Sequence, residues 1–324
     1  MDASRLEFTV TPEDPDAVLR NLRARLERRP REIPARFFYD DAGSRLFERI
    51  TELPEYYQTR TEEAILREQA SDIVARTGAE ELIELGSGAA TKTRVLLDAM
   101  HAAGRLRRYI PFDVSDGIMR RVALELLEEY PELDVHAVVA DFTEHLDGIP
   151  DGHGQLCIFL GGTIGNFAGP EARRFLGEVA GQLRPGGYLL LGTDLIKAPR
   201  RLEAAYNDAA GVTAAFNRNV LRVLNRKLDG DFDPEAFDHH APYNAAEHRI
   251  EMWLRSRRRQ RVQLPRIDLD FTLVEGEEIL TEISVKYDRA RVEALLAAAA
   301  FRLVEFYTDP ESLFALTLAR KETA

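Results

Sequence analysis

The chain has almost no cysteine and no concentrated charge of one sign. Its single cysteine among 324 residues, Cys157, lies within the apolar run Leu156–Leu160. That excludes a disulfide framework and predicts a buried, inert thiol in a reducing compartment. Acidic residues (55) outnumber Lys and Arg (43), the net charge is −12, and the longest basic run is Arg257-Arg258-Arg259. Without a concentrated basic face, no nucleic-acid partner is expected. The chain also lacks the roughly 20 consecutive apolar residues of a spanning helix. Met1-Asp2-Ala3-Ser4-Arg5 opens no apolar leader, so the expectation is no membrane partner and a cytoplasmic location. The acidic surface and the absence of a coiled-coil pattern point to a monomer. His239-His240 are adjacent, and His136, His145, His153 and His248 are scattered without cysteine partners, so no metal site is expected. No nucleophile elbow supports Ser/His/Asp hydrolysis.

What is present is a soluble composition, 45% hydrophobic and 30% charged, long enough for one large domain or two ordinary ones. From residue 82 strands and helices alternate. The apolar runs predict strands over 82–85, 108–113, 135–140, 156–160 and 188–193, with helices over 91–103, 116–130 and 170–183 between them. Such alternation builds a parallel sheet covered on both faces. It stops near 197, where a helical stretch over 200–224, a loop rich in Asp, Pro and His over 229–244 and strand-like runs over 247–255, 260–264 and 278–285 follow. A helix over 288–300 and a strand pair then read as the closing piece of the same sheet. The fold class expected is therefore α/β: a Rossmann-like, doubly wound, mainly parallel sheet with a second, smaller α+β domain. The boundaries expected are 61–196 plus 287–324 for the sheet domain, and 1–60 plus 197–286 for the second.

In such sheets ligands bind at the carboxyl ends of the strands. Gly86-Ser87-Gly88 ends the first strand of the alternation, Asp113 the second, Asp141-Phe142 the third and Gly161 through Phe167 the fourth. Glycine at 86 and 88 permits a tight turn and close approach of a ligand to the backbone. Asp113 is placed to accept bonds from ribose hydroxyls, and Asp141 with Phe142 to accept from an adenine amine and cover a ring face. Both NAD and S-adenosylmethionine fit these features. Thr91 in place of the third glycine of Gly-x-Gly-x-x-Gly leaves a pyrophosphate site unspecified, and Lys92 in the first helical turn is placed to meet a methionine carboxylate. S-adenosylmethionine is the favoured cofactor.

The set Glu84-Leu85-Gly86-Ser87-Gly88, Asp113, Asp141 and Leu183-Arg184-Pro185-Gly186-Gly187 resembles the class I methyltransferases. Further motifs are more specific: Phe37-Phe38-Tyr39-Asp40 with Gly43-Ser44, Leu53-Pro54-Glu55-Tyr56-Tyr57, Gly161-Gly162-Thr163-Ile164-Gly165-Asn166-Phe167, and Thr281-Glu282-Ile283-Ser284-Val285-Lys286-Tyr287. With these, nearly the whole chain resembles the L-histidine Nα-methyltransferases of ergothioneine biosynthesis. The resemblance implies three methyl transfers to the α-amine of histidine, through mono- and dimethyl intermediates, giving hercynine. It further implies that Asn166 and Tyr206 bind the substrate carboxylate with Tyr56 nearby. Glu282 and Ser284 would hold the imidazole, Met252 would pack beside it, Gly161 would contact the amine and Tyr39 would line the reacting nitrogen. Independently, residues 282 and 284 of a strand share a face, and a carboxylate can accept from an imidazole N–H. Another small amine as substrate, an NAD oxidoreductase and a nucleotide-binding regulatory protein without turnover stand as alternatives.

Overall fold

Strands made of continuous apolar runs need cover on both faces, and the computed structural model, which describes residues 5–322, shows where it comes from. Residues 1–4, read above as opening no apolar leader, lie outside the described residues. In chain order the elements begin with β1 (Leu6–Val10), α1 (Pro15–Glu27), β2 (Arg31–Glu32), α2 (Asp41–Thr51) and α3 (Gln58–Thr77). The alternation follows: β3 (Glu81–Leu85), α4 (Arg94–Ala102), β4 (Arg108–Asp113), α5 (Asp116–Glu129), β5 (Asp134–Val139), β6 (Gln155–Phe159), α6 (Gly169–Gln182) and β7 (Tyr188–Asp194). Next come α7 (Pro199–Tyr206), α8 (Val212–Leu228), β8 (Phe237–His240), β9 (Tyr243–Asn244), β10 (Arg249–Ser256), β11 (Gln260–Leu264), β12 (Leu269–Leu273) and β13 (Glu278–Val285). The last described elements are α9 (Arg289–Ala297), β14 (Phe301–Thr308) and β15 (Phe314–Lys321).

The described residues fall into two units. The first holds the residues before Asp14, with Arg60–Leu195 and those from Tyr287 onward; the second holds Asp14–Thr59 and Ile196–Lys286. The first is built on an eight-stranded sheet in the order β1-β5-β4-β3-β6-β7-β15-β14. Strands β1 and β3 to β7 run parallel, and β15 alone is reversed, pairing antiparallel with β7 and with β14. Leu66, Ile73, Leu96, Leu97, Met100 and Leu126 of α3, α4 and α5 pack with Leu82, Tyr109, Leu156 and Ile158 on one face. Alternation turns Phe159 to the other face, where it meets Phe175 of α6 with ring centroids 5.0 Å apart. Cys157 is fully buried, and burial pushes its thiol pKa up, which keeps it unreactive. The chain leaves β3 for β4 and β5 on one side and for β6 and β7 on the other, so the switch point lies between β3 and β6.

The second unit carries the sheet β2-β13-β10-β8, with β9 paired to β10, and the hairpin β11–β12. Its core includes Leu22, Leu26, Phe38, Val220, Leu224, Phe237, Ile250, Leu254 and Ile279.

The structure corrects four expectations. The segment 1–60 does not belong wholly with the second domain, because β1 pairs with β5 at the edge of the large sheet. The helix read over 200–224 is two helices. Gly211 adopts φ +70°, and Asp208 accepts from the backbone N–H groups of Val212 (2.9 Å) and Thr213 (2.7 Å), starting α8 afresh. The stretch 229–244, read as a loop, contributes β8 and β9. Finally, the helix expected from 91 begins at Arg94, because Ala90 takes a left-handed conformation at φ +52°. Lys92 therefore precedes the helix instead of lying in its first turn.

One local constraint positions the segment around Tyr39. Asp40 caps α2 by accepting from the Gly43 N–H at 2.7 Å, and it also accepts from Asn219 of α8 at 2.8 Å. A Cβ on Gly43 would stand 1.7 Å from the Phe38 carbonyl oxygen. Gly43→Ala is thus expected to lower unfolding free energy by about 1–3 kcal/mol in urea titrations; an unchanged midpoint would refute this reading of the turn.

Candidate active site

The carboxyl ends of β3 to β6 bring together the glycine turn and the acidic residues. Gly86 and Gly88 are left-handed (φ +76° and +49°), a Cβ on Gly86 would come within 3.5 Å of the Phe142 ring, and the space beside Gly88 is open. Asp113 Oδ2 accepts from the Gly88 N–H at 2.9 Å and Oδ1 from the Ser115 N–H at 3.0 Å, which ties the end of β4 to the turn after β3. With one such bond on each oxygen and two acceptor positions on each, the carboxylate can still receive ribose hydroxyls. Asp141 Oδ1 accepts from the backbone N–H and the hydroxyl of Thr143 at 2.8 and 2.7 Å. Phe142 packs on Phe159 and Phe175. Ser87 turns its hydroxyl to the Met119 sulfur at 3.2 Å, so its side chain faces the protein. A turn open at the backbone, a carboxylate with spare acceptor capacity and an aromatic ring beside Gly86 fit an adenosyl ligand.

Lys92 is placed differently from the expectation of a cation free to meet a carboxylate. Its ammonium pairs with Glu62 of α3, whose side chain is fully buried and also accepts from the Gly161 N–H at 2.7 Å. Glu62 thus joins the approach to α4 with the end of β6. Sequence reading missed it, because nothing local marks a helix residue 20-odd positions before the glycine turn as its partner. Asn166 ends the single turn Thr163–Asn166 and is partly exposed. Glu84, inside β3, accepts from Thr93 at 2.5 Å and from the Tyr109 hydroxyl. Desolvation raises its pKa to about 7 against those two bonds.

In the second unit an aromatic series runs from Phe216 through Tyr39, Phe47 and Tyr56 to Tyr206, with successive ring centroids 6.0 to 6.4 Å apart. Phe47 and Phe216 were not singled out in the sequence, since they sit on separate helices and meet only in the fold. Tyr39 is 51% exposed. Desolvation of its hydroxyl, then the Glu282 carboxylate and Tyr206, hold its pKa above the ordinary phenol value, so it is neutral at physiological pH. Met252 stands opposite Glu282 in the β10–β13 ladder, next to a register shift that leaves Thr281 as the extra residue. The Thr281 hydroxyl donates to Asn217 Oδ1 at 2.7 Å.

Asn217 in turn donates to His239 Nδ1 (2.9 Å) and to the Trp253 carbonyl, while His239 Nε2 lies 2.7 Å from the Tyr206 carbonyl. A carbonyl can only accept, so His239 carries its proton on Nε2 and is neutral; burial lowers its pKa accordingly. The adjacent His239-His240 pair therefore has one member that holds the backbone at Tyr206. Ser284 accepts from the Tyr206 hydroxyl at 2.8 Å and from Lys286 Nζ at 2.8 Å, and Lys286 also donates to the Tyr206 oxygen at 2.9 Å. Lys286 is wholly buried; it stands two residues beyond Ser284, a period-2 signal that sequence reading passed over. Glu282 is partly buried and makes no protein hydrogen bond among the described residues. Its pKa is pushed up to about 7 by desolvation, partly opposed by Lys286. Among the described residues no group of three or more His, Cys, Asp or Glu is arranged to hold a metal ion.

The parallel sheet with its switch point, and the glycine turn and carboxylates gathered there, define the class I methyltransferase fold. A family described as histidine-specific, S-adenosylmethionine-dependent methyltransferases matches residues 18–321. The histidine N-alpha-methyltransferase of Mycolicibacterium smegmatis is 49% identical over 98% of this chain and 99% of its own length. That of Mycobacterium tuberculosis is 49% identical over 94% of this chain and 95% of its own. Ergothioneine biosynthesis protein 1 of Neurospora crassa is 31% identical over 86% of this chain, a match that covers 32% of that longer protein. The chain belongs to the histidine-specific, S-adenosylmethionine-dependent methyltransferase family.

The buried Glu84 has a stability signature. Its carboxyl pKa rises from 4.5 to about 7 on folding, so its contribution to stability is full below about 4.5 and is lost as pH rises through 7. Glu282 acts in the same direction. Glu84→Gln should therefore flatten the fall in urea-unfolding free energy between pH 5 and pH 8. Equal slopes in the variant and the parent would show that Glu84 does not titrate there.

Proposed function

We propose that this chain transfers methyl groups from S-adenosylmethionine to the α-amine of L-histidine, three times in succession, to give hercynine in ergothioneine biosynthesis. The observation that carries the substrate reading is Glu282, a desolvated carboxylate without a protein hydrogen bond, two residues from Ser284 and opposite Met252. A carboxylate in that condition gains from an N–H donor, and an imidazole provides one. Met252 supplies an apolar contact for the ring.

The methyl donor supplies an activated sulfonium methyl, so the protein's task is alignment and exclusion of water. Gly86, Ser87, Gly88, Asp113, Asp141 and Phe142 would hold its nucleoside, the role of Ser87 falling to its backbone. Lys92 would act toward the methionine carboxylate only from within its pair with Glu62. For Gly161 and Asn166 the proposal keeps the amine and carboxylate contacts that the resemblance implies. Tyr56 would help shape the carboxylate end. Tyr206, whose hydroxyl hydrogen goes to Ser284, would line that end with its ring, in place of the carboxylate contact that the resemblance implies.

The amine attacks as the neutral base and must lose a proton before each transfer. Tyr39 has a raised pKa, which suits a neutral phenol that accepts an N–H, orients the nitrogen lone pair and passes the proton toward water. It does not suit a phenolate base. The faces of Tyr39, Phe47 and Phe216 would accommodate the growing ammonium charge by cation–π attraction. The proposal also takes the enzyme as monomeric and cytoplasmic, on its net charge of −12 and its lone cysteine.

Incubation with histidine and S-adenosylmethionine should yield, by mass spectrometry, products bearing one, two and finally three added methyl groups. No mass gain would sink the proposal, and accumulation at one methyl would restrict it to a single transfer. Tyr39→Phe should slow turnover by about 100-fold; equal rates for all three transfers would remove Tyr39 from the chemistry. Histidine affinity, measured by calorimetry with S-adenosylhomocysteine present, should strengthen as pH rises through 7 and Glu282 ionises. Glu282→Gln should weaken binding at pH 8 and reduce that dependence, and an unchanged preference for histidine over other amino acids would overturn the imidazole assignment.

A further inference from the structure

A serine hydroxyl has one hydrogen to give and two lone pairs to receive with. At Ser284 both lone pairs are occupied, one by the Tyr206 hydroxyl and one by the Lys286 ammonium, each at 2.8 Å. Lys286 has no acceptor capacity, so it cannot exchange roles with either hydroxyl. Its second bond goes to the Tyr206 oxygen at 2.9 Å, while the Tyr206 hydroxyl gives its own hydrogen to Ser284. The side chains of Tyr206, Ser284 and Lys286 are all buried, which limits the water that could replace any of these bonds. Along the same strand, Glu282 lies about 7 Å away at a rise of about 3.4 Å per residue, and when ionised it can only accept.

We propose that Lys286 is a positioning residue which, by donating to both Tyr206 and Ser284, fixes Ser284 as a one-way hydrogen-bond donor beside the Glu282 acceptor, so that the site selects the neutral imidazole ring. Such a ring presents one N–H and one bare nitrogen. Glu282 takes the N–H, and Ser284, unable to accept, gives its hydrogen to the bare nitrogen. An imidazolium presents two N–H groups, and the second would oppose the Ser284 hydrogen. A ring with N–H but C–H in place of the bare nitrogen leaves Ser284 without an acceptor. The inference rests on the histidine reading above and adds to it the residue that sets the polarity of the serine.

The test compares histidine with the two pyrrolylalanines, each of which keeps one ring N–H and replaces the bare nitrogen by C–H. The readout is the ratio of kcat/KM for histidine to that for the better analogue. The parent enzyme is expected to prefer histidine by about 10- to 100-fold, the cost of one unpaired buried donor. Ser284→Ala should bring the ratio to within a few-fold of unity. Lys286→Met should lower it by about tenfold, mainly through KM for histidine with a smaller change in kcat. Lys286→Met that leaves the ratio at the parental value, while Ser284→Ala abolishes it, overturns the proposal, as does a parent enzyme with no preference. Should Lys286→Met not fold, Tyr206→Phe frees a lone pair of the same serine and is expected to narrow the ratio similarly; an unchanged ratio there is equally decisive. If the parent does not methylate histidine at all, it is the functional reading that fails, a result separate from any change in the ratio.

Discussion

A carboxylate partly withdrawn from water without a protein hydrogen-bond donor raises the free energy of the fold, and Glu282 is in that condition. The second unit is arranged so that this strain stays local. The register shift at Thr281 sets the strand that carries Glu282 against Met252, and the Thr281 hydroxyl is absorbed by Asn217. Asn217 then fixes the tautomer of His239, which holds the backbone of Tyr206. Nearby, Lys286 lowers the electrostatic cost of the carboxylate while bonding Tyr206 and Ser284. Thr281, Ser284 and Lys286 have their polar groups engaged with other residues, so Glu282 is left as the acceptor that they do not satisfy.

The first unit treats its acidic residues in the opposite way. Glu62 is satisfied by Lys92 and the Gly161 N–H, Glu84 by Thr93 and Tyr109, Asp113 by two backbone N–H groups, and Asp141 by Thr143. The bonds of Glu62, Glu84 and Asp113 hold the ends of β3, β4 and β6 in fixed relation, as a preorganised cradle requires, while those of Asp141 shape the loop after β5. Asp113 keeps acceptor capacity after these bonds; Glu62 and Glu84 are interior ties. Two carboxylates that look alike in sequence therefore do different work according to which side of a strand or helix they occupy.

Much of this was legible from the chain alone. The alternation from residue 82 determined a parallel sheet, because buried parallel strands carry continuous apolar runs that periodicity exposes. The strand ends then pointed to Gly86, Gly88, Asp113 and Asp141, and the family resemblance carried by 281–287 pointed to Glu282 and Ser284. Less visible was the place of β1: Leu6-Glu7-Phe8-Thr9-Val10 alternates apolar and polar residues, but its partner β5 is distant in the chain and nothing local assigns the strand to the large sheet. The division of the 200–224 stretch was also hidden, since Asp208 and Gly211 are ordinary residues until their capping geometry is seen.

From the chain alone follow the strand–helix alternation from residue 82, the end of the sheet where a ligand is expected and the residue types on offer there, because these rest on local periodicity and on chemistry carried by single side chains. Tertiary structure decided partnership. That Lys92 is held by Glu62, that Phe216 stands beside Tyr39, and that Lys286 lies fully buried against Tyr206 and Ser284 depends on which distant segments the packed core brings within a few ångströms. A lysine reads from sequence as a solvated charge; only the fold, by removing water and supplying two hydroxyl acceptors, makes it a fixed internal donor.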